Sequence, residues 1–387
     1  MPASSTSAWL AAVPEDVADT MPDDNPVEVR RRKVAAMGWA GFVVDRELQT
    51  ASYGRPRARL CAVSVTTAAT TTRRRRSEHP LTRRDWSELP TAVRAAIEDQ
   101  CGTVTRAVLP DAGRNSDVSA TLHTGGGHVL FCKGVRLDTP RARMHRHEAQ
   151  VNSYLPLAVA PRLLWQVEVD RWLLLGFEHV PGRHADLSPG SPDLPQVAAT
   201  VRVLGDALTP CPLDVPRLAE QWARLAAWRR LAHDPAAEPT AWLRDRLGEF
   251  IDRERRTFQA LDGDTLAHTD LHPLNVLVAD RARVVDWAWS RRAAPWVDPA
   301  FLVLRLIEAG HTPEAAEHWT AATFPAWRTV TDETRTDFAV AVLGAWHHMF
   351  RVDPGPQRAP LVAVARRWVA HRLGETVNTA PLVSGIW

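Results

Sequence analysis

Cysteine is scarce in this 387-residue sequence: Cys61, Cys101, Cys132 and Cys211 are widely spaced and no two form a CxxC pair. That argues against a disulfide framework and a thiolate zinc site, and reads as reduced thiols in a cytoplasmic protein. An excess of one charge is also missing. A formal net charge of +2 gives no bulk attraction to nucleic acid or to an anionic membrane. Long apolar runs are lacking too. The longest near the start, Val34–Val44, follows Arg30, Arg31, Arg32 and Lys33, an order that signal peptides share. It is short, begins too far from Met1, and ends in Asp45-Arg46-Glu47 without a small-residue cleavage site. It also falls short of a membrane span, and reads as a short core or surface helix.

What is present suits a soluble globular protein with a sizeable core: 45% of residues are hydrophobic and 24% charged. The length allows two domains, or one two-lobed body with an appendage. The first 85 residues differ from the rest. Ser, Thr, Pro and Asp dominate, and Thr66–Thr72 leads into Arg73-Arg74-Arg75-Arg76. Such polar sequence cannot bury enough apolar area to offset its ordering entropy, so disorder or loose helices are expected over 1–85.

From Trp86 the pattern becomes regular. Leu89–Ile97 reads as a helix, and Thr103–Leu109, Val118–His123 and Val129–Val135 as strands. Thr139-Pro140 predicts a helix start, the cap followed by proline, with the helix running to about Tyr154. Arg162–Val169 and Trp172–Val180 flank a tight Asp170-Arg171 turn. Beyond Pro181-Gly182 the spacing is helical over Val197–Ala207, Leu218–Ala232 and Thr240–Leu261. One loop and short hairpin, Thr265–Trp289, interrupt it before helices resume at Pro299.

The interruption carries the chemistry: His268-Thr-Asp270-Leu-His272-Pro-Leu-Asn275-Val-Leu-Val278, then Val284-Val-Asp286-Trp287. Phosphoryl transfer asks for a carboxylate to take the proton of an attacking hydroxyl, and for oxygen ligands to hold Mg²⁺ against phosphates. An Asp five residues before an Asn supplies both from one loop, and the hairpin returns Asp286 beside Asn275. Upstream, Lys133 sits in an apolar strand. Glu148 lies four residues beyond Met144 on the apolar face completed by Val151 and Leu155, where a carboxylate needs a cation. The loop Gly113-Arg114-Asn115-Ser116, one strand before Lys133, is a candidate phosphate cradle.

The pattern His-x-Asp-x-x-x-x-Asn, hairpin, Asp-Trp resembles the aminoglycoside phosphotransferase and choline kinase family, a relative of the protein kinases, over Trp86–Leu373. The resemblance implies an α+β, two-lobed kinase-like fold: a small antiparallel-sheet lobe over 86–180 that binds nucleotide, and a larger helical lobe over 181–387. It implies ATP or GTP with Mg²⁺ and a small-molecule hydroxyl as acceptor. Asp270 is then the catalytic base, Asn275 and Asp286 hold the metal, and Lys133 with Glu148 holds the phosphates. Glu178 and Val180 meet the base through main-chain atoms, while His268 and Asp298 brace the loop. The family's glycine before Asp298 is missing, and Ala294-Pro295 occupies that region.

Three other readings compete. His268, Asp270 and His272 alternate and would share a strand face as zinc ligands of a hydrolase, although Pro273 argues against a continuing strand. His272 reads instead as a loop residue near the phosphates or the base. A catalytically silent nucleotide-binding protein with a regulatory role would lack one of these groups, and none is lost. A protein kinase proper would need a longer activation segment after Asp286. The acceptor is less defined: residues 191–260 hold ten acidic and ten basic side chains, without the acidic bias an aminoglycoside polycation would favour. Another natural product, a sugar or an amino alcohol fits equally. Trp222, Trp228, Trp242, Trp319, Trp327 and Trp346 read mostly as core packers.

Overall fold

The computed structural model describes residues 84–110, 116–355, 358–377 and 381–383. The loose segment expected over 1–85 therefore lies, apart from Arg84 and Asp85, outside the described residues.

The first lobe is a five-stranded antiparallel sheet between two helices. Its elements are α1 (Thr91–Cys101), β1 (Val104–Val108), β2 (Val118–Thr124), β3 (Val129–Arg136), α2 (Arg141–Asn152), β4 (Leu163–Val169) and β5 (Trp172–Glu178). The strand order is β1-β2-β3-β5-β4. The two-residue alternation of a strand divides the side chains between two cores. Leu130, Cys132, Trp172 and Leu174 pack with Val93 and Ile97 of α1. Val135, Leu173, Leu175 and Phe177 pack with Ala142 of α2. Lys133 has the parity of Val135, so the strand aims it at α2. Asp170 and Arg171 take positive φ values of 46° and 64°, as the two-residue link between β4 and β5 requires.

The start of α2 departs from expectation. Thr139 does not cap it: its hydroxyl turns back to the Arg136 carbonyl at 2.8 Å, and Pro140 occupies the cap position without a side-chain bond.

The second lobe comprises β6 (Arg183–His184), α3 (Leu194–Ala207), α4 (Leu218–Leu225), α5 (Ala227–Ala232), α6 (Ala241–Ala260), β7 (Thr265–Ala267), β8 (Val276–Val278), β9 (Ala282–Val284), β10 (Arg291–Ala293), α7 (Val297–Glu308), α8 (Pro313–Thr323), α9 (Pro325–Arg328), α10 (Asp332–Val352) and α11 (Arg358–Leu373). Two small sheets, β6-β8-β9 and β10-β7, frame the loop between β7 and β8. The single helix expected over Leu218–Ala232 is two. Ala226 adopts φ +38°, closing α4 through its N–H to Trp222, while its carbonyl opens α5. The buried Glu254 carboxylate accepts the Trp228 N–H at 3.2 Å and so supplies α5 with its missing cap. No helix among the described residues is long and apolar enough to cross a membrane.

The helical lobe is bound by aromatic rings. Trp222 stacks on Phe338 with centroids 5.6 Å apart, and Trp296 meets Phe338 edge-on at 5.2 Å. Trp222, Trp228, Trp327 and Trp346 are buried, whereas Trp242 and Trp319 pack at the core's margin. Burying each such side chain contributes about 1.5–3 kcal/mol. Gly344 of α10 gives the Trp228 ring its room: a Cβ there would lie 2.6 Å from the indole nitrogen, which donates to the Val340 carbonyl at 2.9 Å. Gly344→Ala gains about 1 kcal/mol of helix preference. Overpacking costs about 1–3 kcal/mol, and the ring cannot retreat without losing its hydrogen bond. We expect a net loss of up to about 2 kcal/mol in denaturant unfolding. A stabilised variant would show that the ring yields freely.

Candidate active site

The loop leaving β7 is held from below by a helix end. Asp298, in the first turn of α7, accepts the N–H groups of His268 at 2.8 Å and Thr269 at 2.9 Å. This restraint matters because Thr269 has φ +63°, a region that β-branched residues avoid. Its hydroxyl, donating to the Trp289 carbonyl at 2.7 Å, adds a second anchor. The resulting turn presents Asp270. His268 receives the Asp270 N–H on Nδ1 at 3.2 Å and donates from Nε2 to the Val285 carbonyl at 3.0 Å. Both nitrogens are thus committed, which removes His268 from any zinc set. Among the described residues no group of three or more His, Cys, Asp or Glu side chains would hold a metal alone.

Asn275 closes the loop. Its amide nitrogen donates to the Asp270 carbonyl at 3.0 Å and lies 3.5 Å from Asp270 Oδ2. The Asn275 carbonyl accepts the Val285 N–H at 2.9 Å, which keeps the Asp286 segment alongside. Asp286, at φ +63°, turns its carboxylate to Lys133, whose Nζ lies 3.0 Å from Oδ1. The same ammonium meets Glu148 at 2.6 Å, and the other Glu148 oxygen accepts the Trp287 N–H at 3.2 Å. Burial works against the Lys133 charge, but Asp286 and Glu148 outweigh it and hold the ammonium above its ordinary range. Burial pushes Glu148 up while Lys133 pulls it back. The short contact and the Trp287 N–H both favour an ionised pair. For Asp286 burial is overcome by Lys133, and the carboxyl is held below its usual value.

Glu178 and Val180 stand at the end of β5 and just beyond it. Glu178 faces Leu130, three pair positions along the ladder from Lys133. Its N–H donates to the Arg162 carbonyl at 2.9 Å, and its carboxylate accepts the Arg162 N–H at 3.2 Å. Gly113, Arg114 and Asn115 lie outside the described residues, but Ser116 does not.

Ser116 exposes what the sequence reading missed. Its hydroxyl donates to His145 Nε2 at 3.0 Å, and His145 Nδ1 donates to the Arg141 carbonyl at 3.1 Å. Arg141 pairs with Asp117 at 2.8 Å, and Asp117 also accepts the Arg136 N–H at 3.0 Å. His147 donates to the Ser290 carbonyl at 2.9 Å. Helix α2 therefore touches both Ser116 and the segment after Asp286. The available signal was His145, three residues before Glu148 and hence on the same helix face.

A family model, that of the phosphotransferase enzyme family, matches residues 117–332. Among solved structures the chain is similar to an amicoumacin kinase in complex with AMP-PNP, Ca²⁺ and Ami: 12% identity, 74% of this chain and 96% of that one, TM-score 0.50. An aminoglycoside phosphotransferase from Streptomyces rimosus matches at 20% identity over 69% of this chain and 96% of that one, TM-score 0.45. A choline/ethanolamine kinase family protein from Mesorhizobium loti matches at 16% identity over 73% and 91%, TM-score 0.46. At 12% identity the likeness to the amicoumacin kinase is one of fold. No curated protein matches the sequence.

The α2 histidines make stability depend on pH. Burial, aided by Lys133 for His145 and by Arg291 for His147, depresses each from 6.5 to about 4. Each ring binds its proton less well folded than unfolded. Their contribution to stability is therefore full above 6.5 and is lost as pH falls toward 4. The loss is about 1.4 kcal/mol per pH unit for each group. Denaturant unfolding at several pH values should show this slope. His147→Gln, whose amide nitrogen falls near the place of Nε2 and so keeps a donor for Ser290 but cannot titrate there, should lower it by about 1.4 kcal/mol per pH unit. An unchanged slope would clear His147 of the effect.

Proposed function

Because this chain belongs to the phosphotransferase enzyme family, we propose that it moves the terminal phosphate of ATP or GTP onto a hydroxyl of a small molecule. One observation carries the reading. Lys133 and Asp286, 153 positions apart, meet at 3.0 Å beside a loop that holds Asp270 and Asn275. Asp270 orients the acceptor hydroxyl and takes its proton as the oxygen attacks the terminal phosphorus in line. The bond to the departing diphosphate breaks on the opposite side. Lys133, kept charged by Glu148, holds the nucleotide phosphates, and Gly113–Ser116 covers them. The first lobe, 86–180, binds nucleotide, with Glu178 and Val180 meeting the base through main-chain atoms. The helical lobe, 181–387, carries the loop and receives the acceptor. Because the Glu178 N–H is already given to Arg162, its carbonyl is the atom left for the base.

The donor set fits Mg²⁺. Two carboxylates, Glu148 and Asp286, share one ammonium, so the cluster has negative charge to spare. The Asn275 amide nitrogen is spent on Asp270, which leaves its oxygen as the ligand. Asp286 and Asn275 are few ligands, but Mg²⁺ takes only one or two protein groups and completes its shell with phosphate oxygens and water. Bound there, it would neutralise charge on the phosphates.

The acceptor is not a strong polycation on this reading. Of the ten acidic residues in 191–260, five already pair with arginine: Asp193, Glu220, Asp234, Glu249 and Asp252. Glu254 is buried as a helix cap. Few carboxylates remain to receive an aminoglycoside, and a less charged natural product, a sugar or an amino alcohol fits better.

The test is Mg²⁺-dependent release of ADP or GDP across a panel of those compound classes, with aminoglycosides included. Asp270→Asn should lower turnover by roughly 10²- to 10⁴-fold while nucleotide still binds. Asp286→Ala should lose Mg²⁺-dependent nucleotide binding. Full turnover in either variant would overturn these roles. Nucleotide binding without any turnover would point to a regulatory protein, and absence of nucleotide binding would sink the proposal altogether.

A further inference from the structure

His272 is almost wholly enclosed, with 1% of its surface exposed. Its Nδ1 accepts the Leu274 N–H at 3.2 Å, capping the short 3₁₀ turn Pro273–Asn275. A ring nitrogen that accepts a hydrogen bond carries no proton, so the ring proton is on Nε2. That nitrogen has no hydrogen-bond partner among the described residues. It lies 3.7 Å from Asp270 Oδ2, just outside bonding distance. The Asn275 amide nitrogen approaches the same oxygen at 3.5 Å. Two donors, two and five positions beyond Asp270, thus approach one carboxylate oxygen, and one of them is a buried N–H without a hydrogen-bond partner among the described residues. Hydrogen bonds in catalytic loops are often long before substrate arrives and shorten in the loaded complex.

We propose that His272 is a positioning residue for Asp270: its Nε2–H closes on Oδ2 together with Asn275 and sets the orientation of the carboxylate for the acceptor hydroxyl. The inference rests on the reading of Asp270 as the base. The role differs from capping, because the cap uses Nδ1 and the positioning uses Nε2. Substitutions separate the two. In His272→Asn the side-chain oxygen can still cap Leu274, as asparagine does at helix starts, but the amide is too short to reach Asp270. In His272→Gln the amide nitrogen falls near the place of Nε2, and the cap is lost.

The first measurement needs no acceptor. In full-length protein labelled with ¹⁵N-histidine, the His272 ring signals are assigned by their absence from His272→Asn. We expect the Nε2-protonated form, with signals that move in Asp270→Ala. An Nδ1-protonated ring, or signals indifferent to Asp270→Ala, would overturn the proposal. The second uses the panel compound that supports ADP release. His272→Asn should lose roughly 10- to 100-fold in kcat with little change in the KM for MgATP, and His272→Gln should recover part of it. Wild-type kcat in His272→Asn would also overturn the proposal. If wild type turns over nothing on the panel while the Nε2 proton still reports Asp270, the proposed function fails and the positioning contact stands.

Discussion

The buried meeting of Lys133 with Glu148 and Asp286 is the constraint on which the rest of the structure depends. Each of the three comes from a different part of the chain: a sheet strand, the helix above it, and the segment beyond the β8–β9 hairpin. A charge taken out of water is expensive unless it is paired and hydrogen-bonded. The fold answers on every side. Phe177 lies under the ammonium at 5.5 Å, Trp287 donates its N–H to Glu148, and the hairpin is locked by Val285 to Asn275. Because the pairing joins the two lobes, it fixes the position of the sheet relative to the loop that holds Asp270.

Helix α2 organises that pairing. One turn carries Arg141 and His145 toward Asp117 and Ser116; the next carries His147 and Glu148 toward Ser290 and Trp287. A helix is stiff over this length, so the entry of β2 and the segment after Asp286 cannot drift independently. The imidazoles serve here as neutral hydrogen-bonding groups, each using a ring nitrogen to accept or donate in a site too dry for their charged form. They join polar backbone and hydroxyl groups that the apolar face of the helix could not satisfy.

Much of this is legible in the sequence. An apolar strand held Lys133, helical spacing put Glu148 on the apolar face of the next helix, and the five-residue interval from Asp270 to Asn275 belongs to one loop. What stayed hidden has physical reasons. The break at Ala226 has no glycine or proline to announce it, since its cause is a carboxylate from α6 that caps Trp228. Thr139 looked like a cap because its local sequence allows one, yet the Arg136 carbonyl is the acceptor its hydroxyl meets. His145 and Ser116 are 29 positions apart, and a one-dimensional pattern does not show which hydroxyl a buried ring will meet. The two halves of the Thr265–Trp289 reading, loop and hairpin, held because the bonds that close them, Asn275 to Asp270, Val285 to Asn275 and the β8–β9 ladder, join residues close in the sequence.

The bond from Asp298 to the loop also governs where this chain can lengthen. Thirty positions separate His268 from Asp298, and both ends are fixed, one to the β7–β10 ladder and the other to the first turn of α7. Within that span, Val285 to Asn275, Thr269 to Trp289 and the ladder itself tie one part to another, so most added residues would break a bond at each side. The exception is the exposed Asp280-Arg281 tip between β8 and β9, where extra chain would enter solvent and leave those ties intact. Length variation among chains that keep this site should therefore collect at that tip and outside the span.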